Sequence, residues 1–450
     1  MNKKLLVPIL IIVSCFFISC KKQESKNITS LALTPPMGWN SYNCFGGNVT
    51  EEEMKQNADY IAEHLKEFGW EYVVLDFLWY CDDQNSPEKF ARRRPHQHAD
   101  EYGRLIPSPV LHPSSVDGKG LKPLGDYIHS KGLKFGIHIM RGIPWQAVAE
   151  NTPVLGTNKY AQDIANPSDT CKWYGGLVGV NMTKKGAQEY YNSIFKLYAE
   201  WGVDFIKVDD IAFPYHADEM EAVAKAIENS GRPMVLSLSP GPAFIGNPKH
   251  LRKHANMWRI SADFWDSWEQ LLEQLELCRL WAPNVVEGHW PDADMLPLGH
   301  LQIRHEAIGS EDHYTYFTKD EQYFMMTLWA IFRSPLMIGG HLPDNDEFTT
   351  SLLTNENIIR VNQKTKNNRE LGFENEISIW YAEDKDEDII YLAFLNTSDK
   401  EQTMRYSLDN LDNKNFSFAN DLWKNLRAEI HNNQLTITIP SHGAVIYGIN

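Results

Sequence analysis

Eight short apolar runs, each followed by a stretch with helical spacing, constrain this chain more than any other feature. They are "PPMGWNSY" (35–42), "YVVLDF" (72–77), "LKFGIHIM" (133–140), "VDFIKVD" (203–209), "PMVLSLS" (233–239), "NMWRIS" (256–261), "VVEGHW" (285–290) and "PLMIGG" (335–340). Strands that alternate with helices indicate an α/β fold with a parallel sheet. The segment "TEEEMKQNADYIAEHLKEFG" carries its own punctuation: Thr50 as N-cap, Glu53 three residues on to complete a capping box, and Gly69 at the end. Segments 186–200 and 266–281 read as helices in the same way. Eight such units over roughly 300 residues predict a (β/α)8 barrel, spanning 33–345. A doubly wound sheet would carry a glycine-rich phosphate turn after its first strand, and none is present. Beyond 345 the texture changes. "EISIWYAEDKDEDIIYLAFLNTS" and "NQLTITIPSHGAVIYGIN" alternate apolar and polar residues between turns, which predicts an antiparallel β-sandwich over 346–450.

The two ends of the chain differ in character. Residues 1–20 read as a leader: Lys3 and Lys4, then "LLVPILIIVSCFFIS", then a small residue before Cys20. The run is too short and too early for an ordinary membrane span. Its end resembles a bacterial lipoprotein box, with 21–32 as a polar tether. The expectation is an exported protein, lipid-anchored to the bacterial outer membrane on its periplasmic or cell-surface side. The net charge of −16, with no long basic run, argues against nucleic acid as a partner. The 14 Trp, 19 Tyr and 20 Phe offer flat apolar faces that suit sugar rings, though such residues also fill cores. Of the six cysteines, Cys44, Cys81, Cys171 and Cys278 would remain after processing, without a CxxC pair, so no zinc site is read. A Cys44–Cys81 disulfide is permitted in that compartment. "HQH" (96–98) lacks a third ligand at obvious spacing. No metal or other cofactor is expected.

A barrel of this type places its chemistry at the C-terminal ends of its strands. Those ends carry Asp76, His138, Asp209, Ser239, Arg259 with Asp263, and Trp290 with Asp292 and Asp294. In "WGVDFIKVDD" (201–210) Lys207 and Asp209 share one face of the strand and point into the mouth. A buried ammonium needs a counter-charge, and Asp209 is its i+2 neighbour. The cation would keep Asp209 ionised, as a carboxylate nucleophile requires. A structural ion pair without chemistry is the other reading. Asp210 falls on the opposite face or in the loop. In "MWRISADFWDSW" (257–268), Asp263 follows Arg259 by four residues among aromatics, a setting that would raise its pKa. One ionised and one protonated carboxylate are the equipment of a glycosidase, and a separation of about 5–5.5 Å would mean retention of configuration. Asp266 is the alternative acid, with a helix N-terminal role as its plainer reading.

Six motifs in order carry a family resemblance: "PPMGWNSY", "GLKFGIHI", "WGVDFIKVDD", "WRISADFWDSW", "HWPDADMLPLG" and "LWAIFRSPLMIGG". Together they resemble glycoside hydrolase family 27, the melibiase or α-galactosidase family. The resemblance implies a metal-free double displacement with Asp209 as nucleophile, Lys207 on the sugar, Asp263 as acid/base and Arg259 beside it. It implies substrate contacts for Trp39, Asp76, Trp290 and Asp294, with Asp292 holding the loop. Five positions depart from the family pattern. Phe77 replaces the second aspartate of a sugar-binding pair, unless it points outward. His138 and Met140 stand for a tyrosine and an aspartate, with a packed barrel histidine as the plain alternative. Ser239 stands where galactosidases often carry glutamate or cysteine, and Ile211 removes a family disulfide. The expected activity is therefore exo-hydrolysis of terminal α-D-galactosyl residues. The same mechanism on an α-N-acetylgalactosaminide would require space beyond C2, and on a β-L-arabinopyranoside a blocked C6. A non-catalytic glycan-binding lipoprotein would not need both Asp209 and Asp263. A metal-dependent barrel hydrolase is the remaining class, and chelation would silence it.

Overall fold

The computed structural model describes residues 31–82, 96–304, 311–409, 411, 416 and 418–450. The leader, Cys20 and most of the tether lie outside the described residues. Among those described, no helix is long and apolar enough to cross a membrane.

Eight parallel strands form one curled sheet. They are β1 (Met37–Asn40), β2 (Tyr72–Leu75), β3 (Lys134–Met140), β4 (Phe205–Asp209), β5 (Val235–Leu238), β6 (Met257–Arg259), β7 (Trp290–Asp292) and β8 (Leu336–Ile338). The sheet order is β7-β6-β5-β4-β3-β2-β1-β8, and its two ends meet at the parallel bridge Leu296–Ile338. All eight strands overlap their predicted runs. The seventh does so only at Trp290: Val285 and Val286 have strand propensity, but Val286 and His289 bond to each other across a tight turn, and pairing with β6 starts only at Trp290.

Strand alternation sorts the barrel residues into two sets. Tyr72, Val74, Phe205, Val235, Met257, Trp290 and Met337 face inward and fill its base. This filling sets a size limit on β1: a Cβ at Gly38 would stand 2.4 Å from the Tyr72 carbonyl oxygen. Leu31 and Ala32 close the base from outside, accepting hydrogen bonds from Asn256 Nδ2 and Trp290 Nε1. Outward residues such as Trp39, Val73, Ile137, Ile206 and Leu236 pack beneath the helices. Those used below are α1 (Glu51–Tyr60), α2 (Lys122–Ser130), α3 (Ala187–Glu200), α4 (Ala217–Ser230), α5 (Pro248–His254), α6 (Trp268–Trp281) and α7 (Lys319–Phe332). The capping box at Thr50 and Glu53 is formed as the sequence predicts, with Glu53 accepting from the Thr50 backbone N–H at 2.9 Å.

Past 345 come helices α8 (Glu347–Leu353) and α9 (Glu356–Lys364), whose Leu352, Leu353, Ile358 and Val361 join a hydrophobic cluster shared by barrel residues and by Trp380, Tyr391 and Ile446 of the C-terminal sheets. The antiparallel C-terminal sheets begin at Thr365. Six strands pair in one sheet and Gln402–Ser407 pairs with Gln434–Ile439 in a second. Leu435, Ile437 and Ile439 project onto Ile379, Leu392 and Phe394 of the larger sheet, giving the two-layer sandwich that the alternation implies. The Cys44–Cys81 disulfide is not formed: Cys44, Cys81, Cys171 and Cys278 are all buried and none of them is in a disulfide.

Candidate active site

β2, β3 and β4 deliver three side chains to one corner of the mouth: Asp76, His138 and Asp209. His138 and Lys207 are register partners on β3 and β4, so both point inward. His138 Nε2 lies 3.1 Å from Asp209 Oδ2, and Asp209 Oδ1 accepts the Asp210 backbone N–H at 2.8 Å. Burial alone would raise the Asp209 pKa. The His138 hydrogen bond, the Lys207 charge and the Asp210 N–H outweigh it and hold the carboxyl below its usual range. Because the ionised carboxylate can only accept, Nε2 carries the imidazole hydrogen. Nδ1 is buried with no hydrogen-bond partner among the described residues.

Lys207 is not paired with its i+2 neighbour. Its ammonium lies 2.9 Å from Asp76 Oδ2, across β3. Alternation fixes the face of a strand but not the neighbour a long side chain reaches, and here the lysine extends across the barrel. Asp76 is 1% exposed and also accepts from Asn40 Nδ2 at 2.7 Å. Its burial is outweighed by Lys207, His138 and Asn40, which keep it strongly ionised. Lys207 is buried too, yet the Asp76 and Asp209 charges raise its pKa.

Asp210 answers a different need. It is buried, in the left-handed region at φ 56°, with Oδ2 3.0 Å from Arg141 Nη2. Arg141 Nε also donates to the Asp210 carbonyl at 2.6 Å, and its other nitrogens reach Asp169 and Glu219. Burial exceeds the Arg141 effect and pushes Asp210 up to about 6. This buried ionic cluster anchors the turn that aims Asp209.

The opposite rim is built on Arg259. Its guanidinium lies 2.7 Å from Asp294 Oδ2 and 3.3 Å from Asp263 Oδ1, and it donates to the Ala262 carbonyl at 2.7 Å. Asp294 Oδ2 accepts the Phe264 N–H at 2.8 Å, so it braces the loop that carries Asp263. Asp292 Oδ1 accepts the Asp294 N–H at 3.0 Å; burial, against the Arg259 charge, pushes its carboxyl up to about 7. The Asp263 side chain is 65% exposed at the mouth. The apolar enclosure expected around it is absent, because Phe264 and its aromatic neighbours turn inward onto Phe317 and Trp329. Asp266 is instead enclosed, accepting from the Tyr316 N–H and bonded to His313 Nε2, so it ties down a loop rather than capping α6.

Three predicted contacts are placed elsewhere. Trp39 faces outward and donates to the Gly340 carbonyl at 2.7 Å. Trp290 lies one inward layer below Asp292, at the base of the barrel, under the Arg333 guanidinium. Ser239 is 1% exposed and meets the turn after Asp209 through its backbone carbonyl, which accepts the Ile211 N–H at 3.1 Å. The motif around Trp39 supplies two other residues. Asn40 holds Asp76, and Tyr42 sits where Asp263, Asp76 and Asp209 all bear on its phenol; burial first, and those charges next, hold it protonated. Residue type gives no sign of this, and only the period-two spacing from Asn40 hints at it.

Phe77 closes the corner. Its N–H bonds to Asp76 Oδ1 at 2.8 Å, the strand has ended at Leu75, and alternation no longer sends it outward. The ring meets His138 edge-on at 5.3 Å, Tyr174 at 5.0 Å and the exposed Trp173 at 5.6 Å. An aromatic wall therefore stands one residue from Asp209.

The arrangement provides one ionised carboxylate held by fixed donors and a second, open carboxylate on a buried arginine, which is the pairing glycoside hydrolysis needs. The family description "Alpha galactosidase A" matches residues 155–364. A β-L-arabinopyranosidase of glycoside hydrolase family 27 from Geobacillus stearothermophilus is 49% identical, covering 94% of this chain and 98% of that one at a TM-score of 0.91. A Bacillus halodurans structure provisionally assigned as an α-N-acetylgalactosaminidase is 46% identical over 93% of this chain and 98% of that one, with a TM-score of 0.84. An Arabidopsis thaliana protein, alpha-galactosidase 2, is 26% identical over 93% of this chain and 89% of the relative. With nearly half its residues shared end to end with a solved member, this chain is a glycoside hydrolase of family 27.

Proposed function

We propose that the protein is an exo-acting β-L-arabinopyranosidase that works with retention through Asp209 and Asp263. The observation that carries the choice of sugar is Phe77. β-L-Arabinopyranose has the ring configuration of α-D-galactopyranose with a hydrogen in place of the hydroxymethyl group. At the corner where the family resemblance expects a second sugar-binding aspartate, this chain presents a phenyl ring packed on His138 and Tyr174. A hydroxymethyl group held there would bury a hydroxyl without a partner, at about 1–3 kcal/mol. A pentopyranose presents only a CH2. The 49% identity to an arabinopyranosidase supports the same reading. Burial of Ser239 offers no opening of the kind a 2-acetamido group would fill.

In this mechanism Asp209 attacks C1 while Asp263 protonates the leaving oxygen, and Asp263 then deprotonates the water that releases the sugar. Lys207 and Tyr42 border the sugar, and the Asp76–Lys207 pair keeps the ammonium in place. The leader-like residues 1–20 support export and lipid anchoring, which would present the enzyme to oligosaccharide outside the cytoplasm.

The test compares kcat/KM for aryl β-L-arabinopyranoside, α-D-galactoside and α-N-acetylgalactosaminide. The expected preference for the arabinoside over the galactoside is about 10- to 100-fold, and Phe77→Asp should narrow it. A wild-type preference for the galactoside that Phe77→Asp leaves untouched would overturn the assignment.

A further inference from the structure

On the outer side of the barrel, the helices that follow β4 and β5 bring three metal-competent groups together, away from the carboxylates of the mouth. His250 and His254 are four residues apart on α5 and therefore share a face. Their ring centroids are 4.6 Å apart. Glu221 reaches them from α4, with Oε1 3.2 Å from His250 Nε2. One ligand atom from each of the three lies within 4.8 Å of the others. A tetrahedral centre with one open position asks for this set of two imidazoles and a carboxylate.

Two further observations point to a ligand. His254 Nε2 is buried and has no hydrogen-bond partner among the described residues. A nitrogen in that position loses its hydration without replacement. His250 in turn is oriented from behind: the Tyr215 hydroxyl lies 2.6 Å from Nδ1. A metal-bound histidine usually donates its second N–H to an oxygen, and Tyr215 supplies one, leaving Nε2 directed at Glu221. The basic residues Arg252 and Lys253 of the same turn oppose a bare cation, so the site depends on coordination rather than on net charge. The second group of this kind, Asp169, His216 and Glu219, differs in the decisive respect that Arg141 already fills its need for a cation.

We propose that Glu221, His250 and His254 bind a late first-row divalent metal ion such as Zn2+, oriented through Tyr215. The ion would clamp α4 to α5. Through Tyr215 it would also fix the loop that leaves the nucleophile strand, in a structural role distinct from the chemistry at the mouth.

The test titrates tag-free, chelator-stripped enzyme with Co2+ and Zn2+, reading Co2+ ligand-field absorption and calorimetric stoichiometry. The expected result is one ion per chain, displacement of Co2+ by Zn2+, and a Tm raised by about 3 °C at saturation. His254→Ala should weaken binding at least about 10-fold and Tyr215→Phe by a comparable factor. Glu221→Gln, a change at an exposed carboxylate that should not perturb folding, should do the same while turnover of the stripped enzyme stays at the wild-type value. Binding unchanged in His254→Ala and Glu221→Gln, or no binding at about 1 mM metal, would overturn the proposal.

Discussion

Asp209 and Asp210 are adjacent residues with opposite electrostatics. Asp209 is held ionised by His138, Lys207 and a backbone N–H, while burial lifts Asp210 to about 6 against Arg141. Asp209→Asn keeps an acceptor for only one of its two donors, the Asp210 N–H or His138 Nε2–H, and lacks the oxygen that would attack C1, so kcat should fall by at least about 10⁴-fold. Turnover within 10-fold of wild type would remove Asp209 from the mechanism. A second residue-scale prediction concerns Asp292, whose folded pKa of about 7 exceeds its ordinary value of 3.8. Between about pH 4 and 7 the unfolded chain gives up this proton while the folded chain keeps it, so stability falls as pH rises through that window. Asp76 and Asp209 have the opposite sign. Their depressed pKa values give stability that is present above the unfolded value near 4 and lost as pH falls through the folded one. Asp292→Asn retains an acceptor for the Asp294 N–H and removes the penalty, on the order of 4 kcal/mol at pH 8. Thermal melts should show the variant losing less Tm than wild type between pH 5 and 8. An equal loss in both would mean that Asp292 does not titrate in this range.

At the scale of elements, what the sequence made legible follows from periodicity, and what it hid follows from contacts across strands. The face of Lys207 and Asp209 could be read from a period of two. The partner of Lys207 could not, because Asp76 is two strands away in the sheet and 131 residues away in the chain. Trp39 and Trp290 stood out by residue type and yet are core; on β1 the inward positions are Gly38 and Asn40. Phe77 could not be assigned by alternation because the strand stops before it. Helix ends, by contrast, are local. The reciprocal bonds of Thr50 and Glu53 need only four consecutive residues, and they formed as read. Thr50→Ala should therefore destabilise by about 1 kcal/mol and leave kcat unchanged, since α1 carries no group of the mouth. Chemical denaturation measures the first effect and a standard assay the second; a large loss of kcat would show that α1 controls the site.

Across the whole molecule, the C-terminal sheets are structurally continuous with the rim that carries Arg259 and Asp263. α7 is buried from Phe324 through Phe332, which is unusual for a barrel helix, whose outer face normally meets water. The sandwich covers that face. Trp423 Nε1 donates to Thr327 Oγ1 at 2.8 Å, His442 Nδ1 lies 3.0 Å from Glu321, and Trp380 meets the Phe332 ring. α9 adds a two-pronged ion pair from Arg360 to Asp384, at 2.7 and 2.8 Å. From the inner side of α7, Trp329 Nε1 donates to the Asp294 carbonyl at 3.0 Å, and Asp294 holds Arg259, which stands beside Asp263. Sandwich, helix and the loop that carries Asp263 are thus joined by an unbroken set of contacts. A chain ended at Lys364 would leave Phe324, Leu328, Ile331 and Phe332 facing solvent, a patch of the kind that drives aggregation. Such a truncation should yield no soluble, active barrel, and limited proteolysis of the intact enzyme should release no stable fragment ending near 364. Trp423→Ala, a milder cut at the same seam, should cost about 2 kcal/mol and lower kcat only through Asp294. A soluble truncated barrel with wild-type kcat would show instead that the sandwich is a separable module and that the contact from Trp329 to Asp294 holds without it.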